Sequence, residues 1–215
     1  MNHQESLEKL KSGNVRFVSG VRCVEAMSSI LRREEFAKKT QRPSSIILTC
    51  ADSRVPAEII FDLGLGELFV VRVAGNIVAP SLLASIEFAA GKFGTPLVVV
   101  LGHTDCGAVN AAIEWTRTKQ DAPSDHIQDL VAEISSSAQF ALEHHSSSDQ
   151  VSSIAALENV RHSVKVLSAR SSILRHLVRD GKLRIVGAIY DLAKGSVIFD
   201  ENPETSSSKV LEEGF

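Results

Sequence analysis

Two short stretches of the chain carry groups that could do chemistry: Cys50-Ala51-Asp52-Ser53-Arg54 and His103-Thr104-Asp105-Cys106. Cys50, His103 and Cys106 form a C…H-x-x-C set of two thiols and one imidazole. Soft sulfur and nitrogen donors suit Zn²⁺, and three of them leave a tetrahedral ion one open position. A structural zinc site would close that position with a fourth Cys or His. The one other cysteine, Cys23, stands in a segment with no metal-ligand spacing and reads as a structural or exposed thiol. The fourth position is then open to water, which zinc turns into a nucleophile near neutral pH. The competing reading of the set is a redox or regulatory thiol pair.

Asp52 lies two residues past the first ligand, within reach of the metal's open position. Arg54 can grip its carboxylate by a bidentate contact. A carboxylate that accepts the hydrogen of zinc-bound hydroxide aims an oxygen lone pair at a substrate. Turned onto the metal, Asp52 becomes a conditional fourth ligand and switches the enzyme off. The bland alternative is an ion pair that braces the loop. His126, His144, His145, His162 and His176 lack paired spacing and read as solvated or core residues. No G-x-x-x-x-G-K-[ST] loop is present, so nothing marks a nucleotide phosphate site.

The elements that must position these groups follow from apolar patterning. Residues 45–50, 68–73, 97–101 and 183–190 are short apolar runs rich in β-branched residues, the pattern of buried strands. Helical spacing marks an N-terminal amphipathic helix up to Gly20 and a two-turn helix over 57–63. Further helices carry Leu82 to Phe93, a run starting near Cys106-Gly107, Ile127 to Ala141, Ile154 to Leu167 and Ile173 to Val178. Residues 196–199 fit a last strand in a hairpin with 183–190. Strands alternating with helices predict an α/β fold with a mostly parallel central sheet, helices on both faces and an N-terminal helical arm. In such sheets ligands gather at the C-terminal strand ends, where Cys50 and His103 fall. One domain over 1–215 is expected, with the arm over about 1–40 and a polar tail over about 201–215.

The chain has 215 residues, 44% hydrophobic and 23% charged, with a net charge of −3. That supports one full-sized core, and gives no reason to expect nucleic acid or an anionic membrane as partner. Three cysteines, two of them better used as ligands, point to a reducing compartment. The first residues form no signal peptide and no apolar stretch is long enough to span a membrane, so a cytoplasmic location is expected.

Four blocks in order now stand together: Cys50-Ala51-Asp52-Ser53-Arg54-Val55-Pro56, Gly66-Glu67-Leu68-Phe69-Val70-Val71-Arg72, Ala74-Gly75-Asn76 and Gly102-His103-Thr104-Asp105-Cys106-Gly107. With Gly13-Asn14-x-Arg16-Phe17 and Tyr190-Asp191-Leu192 they resemble the β-class carbonic anhydrases over roughly residues 7–200. The resemblance implies a lyase, carbonate dehydratase, that hydrates carbon dioxide reversibly to bicarbonate and a proton. It implies one zinc per subunit on Cys50, His103 and Cys106, and Asp52-Arg54 as catalytic dyad. For the substrate pocket it gives Gln41, Phe69 and Phe88, with Gly107 beside the last ligand. It also implies a homodimer or a multiple of dimers such as a homotetramer, with the zinc cleft at the dimer interface.

Two departures follow. Many plant-type members carry tyrosine where Phe88 stands, so a hydroxyl is missing from the pocket. One subgroup has a tryptophan three residues before the first zinc cysteine, part of a regulatory bicarbonate site. Here that position is Ile47, so although Arg72 is present the chain groups with the ungated, plant-type-like members. Alternatives of the same architecture are an enzyme acting on another small linear molecule, such as carbon disulfide, and a non-catalytic zinc-binding assembly or sensor protein.

Overall fold

A computed structural model describes residues 1–22, 30–120, 122–145 and 147–201. Cys23 and the tail beyond Glu201 lie outside the described residues. The elements run α1 (His3–Ser19), α2 (Ile30–Ala37), β1 (Ser45–Cys50), α3 (Ala57–Ile60), β2 (Leu68–Val73), a 3₁₀ turn (Ala74–Asn76) and α4 (Pro80–Phe93). They continue with β3 (Leu97–His103), α5 (Gly107–Thr118), α6 (Asp125–His144), α7 (Ser148–Arg170), α8 (Ser172–Arg179), β4 (Arg184–Tyr190) and β5 (Val197–Asp200). The sheet order is β2-β1-β3-β4-β5. The first three pairings are parallel and β5 returns antiparallel on β4 as the expected hairpin.

β1 and β3 are buried along their whole length, which is why their sequences are continuous apolar runs rather than alternating ones. Alternation still decides which core each residue joins. Ile46, Leu48, Cys50, Val98 and Val100 face a core built with Ile86, Val109, Ile134, Leu157 and Leu174 of the later helices. Ile47, Val99, Leu101, Val186 and Ala188 face a second core with Leu7 and Leu10 of α1 and Ile60 and Phe61. Cys50 therefore points to the same face as α4–α8.

The N-terminal helix opens with a reciprocal cap, Asn2 with Glu5, and lies on its own chain. Asn14 donates to the Ile60 and Gly195 carbonyls and accepts from the Val197 N–H, while Arg16 pairs with buried Asp62 at 2.6 Å. The two-turn helix expected over 57–63 stops at Ile60. Asp62 takes a positive φ of 44° there, so the chain turns instead of winding on.

Candidate active site

Adjacent parallel strands β1 and β3 end at Cys50 and His103. The chain then turns through Thr104 and Asp105 to Cys106, which caps the N-terminus of α5. This turn is fastened to the next strand: the Thr104 N–H donates to the Tyr190 carbonyl, and the Thr104 hydroxyl accepts from the Leu192 N–H. Asp105 adopts the left-handed region with φ 52°, which Asp tolerates better than most residues. Its carboxylate accepts from Asn110 at 3.1 Å.

The result is a cluster in which one donor atom from each of Cys50, His103 and Cys106 lies within 4.8 Å of the others, all three residues buried. The two sulfurs are 3.9 Å apart. Cys50 Sγ also accepts the N–H groups of Asp52 and Gly75, each at 3.4 Å. The Cys106 contact, reinforced by those donors, holds the Cys50 thiol well below the usual thiol range. The same contact and burial push the Cys106 thiol up. Burial and this contact oppose two thiolates side by side, and a bound cation would offset their repulsion.

His103 completes the fit. Its Nδ1 lies 2.9 Å from the Thr104 carbonyl and so carries the proton. That leaves the Nε2 lone pair available, and this atom is buried with no hydrogen-bond partner among the described residues. An orphaned imidazole nitrogen facing two sulfurs is the donor set of a soft or borderline metal ion.

Asp52 stands beside the cluster, with Oδ2 4.0 Å from His103 Nε2. Arg54 holds both of its oxygens: the backbone N–H and Nε donate to Oδ1, and Nη2 donates to Oδ2 at 2.7 Å. This guanidinium keeps the Asp52 carboxyl far below the usual carboxylate range. Arg54 also reaches the carbonyl and carboxylate of Asp105, tying the two motifs together. A cleft of about 630 Å³ opens beside Asp105, lined by Asn110, Glu114, Arg117, Ser148 and Ser152 among others.

The structure separates the remaining candidates. Gly107 begins α5 beside Cys106. Phe69, in contrast, pairs with Ile46, whereas Cys50 pairs with Val73; four residues of strand set Phe69 roughly 13 Å from the ligand level. Phe88 meets Phe93 edge to face and Phe69 packs against it at a tilt, and Gln41 lies four residues before the first residue of β1. Within one chain these three residues stand at the N-terminal end of β1 and β2, away from the cluster. Residues that the sequence reading passed over do reach it. Arg72, noted there only as the remnant of a regulatory site, donates from Nε to the Cys50 carbonyl and from Nη2 to the Asp52 carbonyl. Its signal is an arginine in an otherwise apolar strand. Gly75, in the left-handed region at φ 72°, turns its N–H onto Cys50; a Cβ there would come within 2.6 Å of Ile134.

The fold and cluster can now be set beside known proteins. The carbonic anhydrase family model matches residues 45–197, and this chain belongs to the β-carbonic anhydrase family. Carbonic anhydrase 2 of Mycobacterium tuberculosis is 40% identical over 195 residues, 90% of each chain. The carbonic anhydrase of Mycolicibacterium smegmatis is 38% identical over 188 residues, covering 87% of this chain and 88% of its own. Among solved structures, the β-carbonic anhydrase CcaA superposes with a TM-score of 0.72 at 25% identity, over 90% of this chain and 86% of that one. The chain is an enzyme of the carbonic anhydrase type, and its Cys-His-Cys cluster is the one group of this kind among the described residues. No helix among the described residues is long and apolar enough to cross a membrane.

Proposed function

We propose that the chain hydrates carbon dioxide reversibly, CO₂ + H₂O giving bicarbonate and a proton, with one Zn²⁺ held by Cys50 Sγ, His103 Nε2 and Cys106 Sγ. The observation that carries this is the convergence of an unpartnered imidazole nitrogen and two buried sulfurs 3.9 Å apart next to the Asp52–Arg54 pair. When bound, zinc would supply the Lewis acidity that makes water a nucleophile near neutral pH. Asp52 would accept that water's hydrogen and so fix the direction of its attacking lone pair. Arg54 keeps the carboxylate ionised, and by occupying both oxygens it opposes rotation of Asp52 into the cluster as a fourth ligand. A site that only held a metal for assembly would gain nothing from an oriented carboxylate at its edge.

We further propose that the working unit is at least a homodimer in the cytoplasm. Gln41, Phe69 and Phe88 can serve as pocket residues only if a second copy presents them to the cluster. Phe88, 55% exposed in the single chain, and the exposed Val15 and Val18 on the outer side of α1 provide apolar surface for such contact. Metal analysis of the purified protein, with stopped-flow carbon dioxide hydration before and after chelation, tests the main reading. The expected result is about one zinc per chain and hydration that is lost with the metal and regained with zinc. Full activity in protein stripped of metal would refute it.

A further inference from the structure

The Cys50 sulfur accepts a hydrogen bond from the Gly75 N–H, and Gly75 is itself held from the far side of the molecule. Helix α7 crosses the sheet closely. A Cβ at Gly102 would stand 2.6 Å from Val160 Cγ2, so only glycine lets the helix approach this near. That approach brings Asn159, fully buried, onto the 3₁₀ turn, where its Nδ2 donates to the Gly75 carbonyl at 2.7 Å. One turn further along, Ser163 donates to the next carbonyl, that of Asn76, at 3.0 Å. The peptide units on either side of Gly75 are thus oriented by an amide on one side and by a sulfur on the other.

We propose that Asn159 is a positioning residue for Cys50, acting through Gly75 to hold the N–H that the ligand sulfur accepts. The assignment builds on the Cys50-His103-Cys106 ligand set proposed above. Folding stability alone does not account for an amide here. Its Oδ1 is buried with no partner among the described residues, a desolvation cost that an apolar side chain of similar size would avoid. What leucine could not supply is the donor to Gly75. N–H groups directed at a thiolate fix its orientation and withdraw electron density, and outer-shell partners of this kind govern metal affinity. Ser163 is the internal control: it holds the same turn from the same helix, but through the carbonyl of Asn76, whereas the N–H groups that Cys50 accepts are those of Asp52 and Gly75.

Asn159→Leu, which keeps the volume and removes the donor, and Ser163→Ala would be compared with the wild-type holoenzyme. Three readouts apply: zinc affinity by chelator competition, the thiolate-to-metal absorption band of the Co²⁺-substituted protein, and the unfolding temperature. Asn159→Leu should weaken zinc about 10- to 100-fold and shift the cobalt band, with an unfolding temperature below that of Ser163→Ala by no more than the weaker zinc accounts for. Ser163→Ala should leave both metal readouts as in the wild type. Should Asn159→Leu not fold, Asn159→Ala is read the same way. Unchanged zinc affinity and cobalt band in the Asn159 variant would overturn the proposal, as would equal metal effects in both variants. If the wild type itself bound no zinc, the ligand assignment would fall instead, which keeps the two failures distinct.

Discussion

The two ends of one sheet differ in what they ask of the chain. At the C-terminal end of β1 and β3, Cys50, His103, Cys106, Asp52 and Arg54 are brought together by a single protomer, with two motifs on neighbouring strands and one turn between them. At the N-terminal end, Phe69 and Phe88 share an aromatic cluster with Phe93 and leave Phe88 half in solvent. The first end holds charge and lone pairs that need fixed partners. The second holds apolar area that needs only cover. If the proposed dimer holds, a single chain builds the first end of the site and a second copy would complete the other.

The largest effect should come from the first end. Cys106→Ser removes a ligand and should take both zinc and hydration to background, beyond the roughly 100-fold loss that outer-shell partners govern. Full zinc content with near-normal activity would break the picture of a self-contained metal end. Arg54→Ala should come next. Freed from its grip, Asp52 can turn into the cluster, so zinc is kept while kcat/KM falls about 10- to 100-fold. An unimpaired variant would make the Asp52–Arg54 pair a loop brace.

The second end is sharpened by mixing. Phe69→Ala alone should lose about tenfold in kcat/KM, the scale of an apolar pocket contact. If a second copy supplies Phe69, chains of Phe69→Ala co-folded with chains of Cys106→Ser should recover activity. Each mixed dimer would then combine one intact ligand set with one intact phenylalanine. No recovery in a mixture shown to contain mixed dimers would mean that the pocket lies elsewhere.

Much of the metal end is legible in the chain because its groups are few, chemically distinctive and close to strand ends. Buried parallel strands declare themselves as apolar runs, and Cys50 and His103 terminate two of them. What escaped the sequence was polar and internal. Arg72 sits in a strand and Asn159 in a helix most of whose buried residues (Ala155, Leu157, Val160 and Val164 among them) are apolar, Arg161 and Ser163 being the polar exceptions. Nothing in residue type says that such an amide faces inward; only the approach of α7 at Gly102 decides it. The sequence makes α3 too long for a related reason: apolar spacing continues through Phe61 and Leu63, while the backbone has already turned at Asp62. Gly75→Ala would test the same coupling on the stability side. The left-handed φ costs an L-residue about 1–2 kcal/mol, and the contact with Ile134 at 2.6 Å adds to it, so unfolding should come at least several degrees lower.

The smallest effect belongs to the N-terminal end, where α1 is tied to the last strand. Glu201 accepts from Lys11 at 2.7 Å and from Arg184 at 3.0 Å. The hydrogen bond from Lys11 leads the interactions that lower its folded-state pKa. A depressed carboxyl contributes stability that is present above its unfolded pKa, about 4.3, and is lost as pH falls through the folded value. The side chains involved are about a third exposed, so the contribution should stay below about 1 kcal/mol and shrink further in salt. Glu201→Gln should therefore lower the unfolding temperature by a few degrees at most at neutral pH, and the gap to the wild type should narrow as pH drops below 4. Carbon dioxide hydration should be unchanged, because the pair is remote from Cys50, His103 and Cys106. A gap independent of pH would show that the Glu201 ion pairs contribute nothing and that α1 is fastened by its other contacts, those of Asn14 and Arg16 among them. A loss of hydration without a loss of stability would break the separation between the two ends.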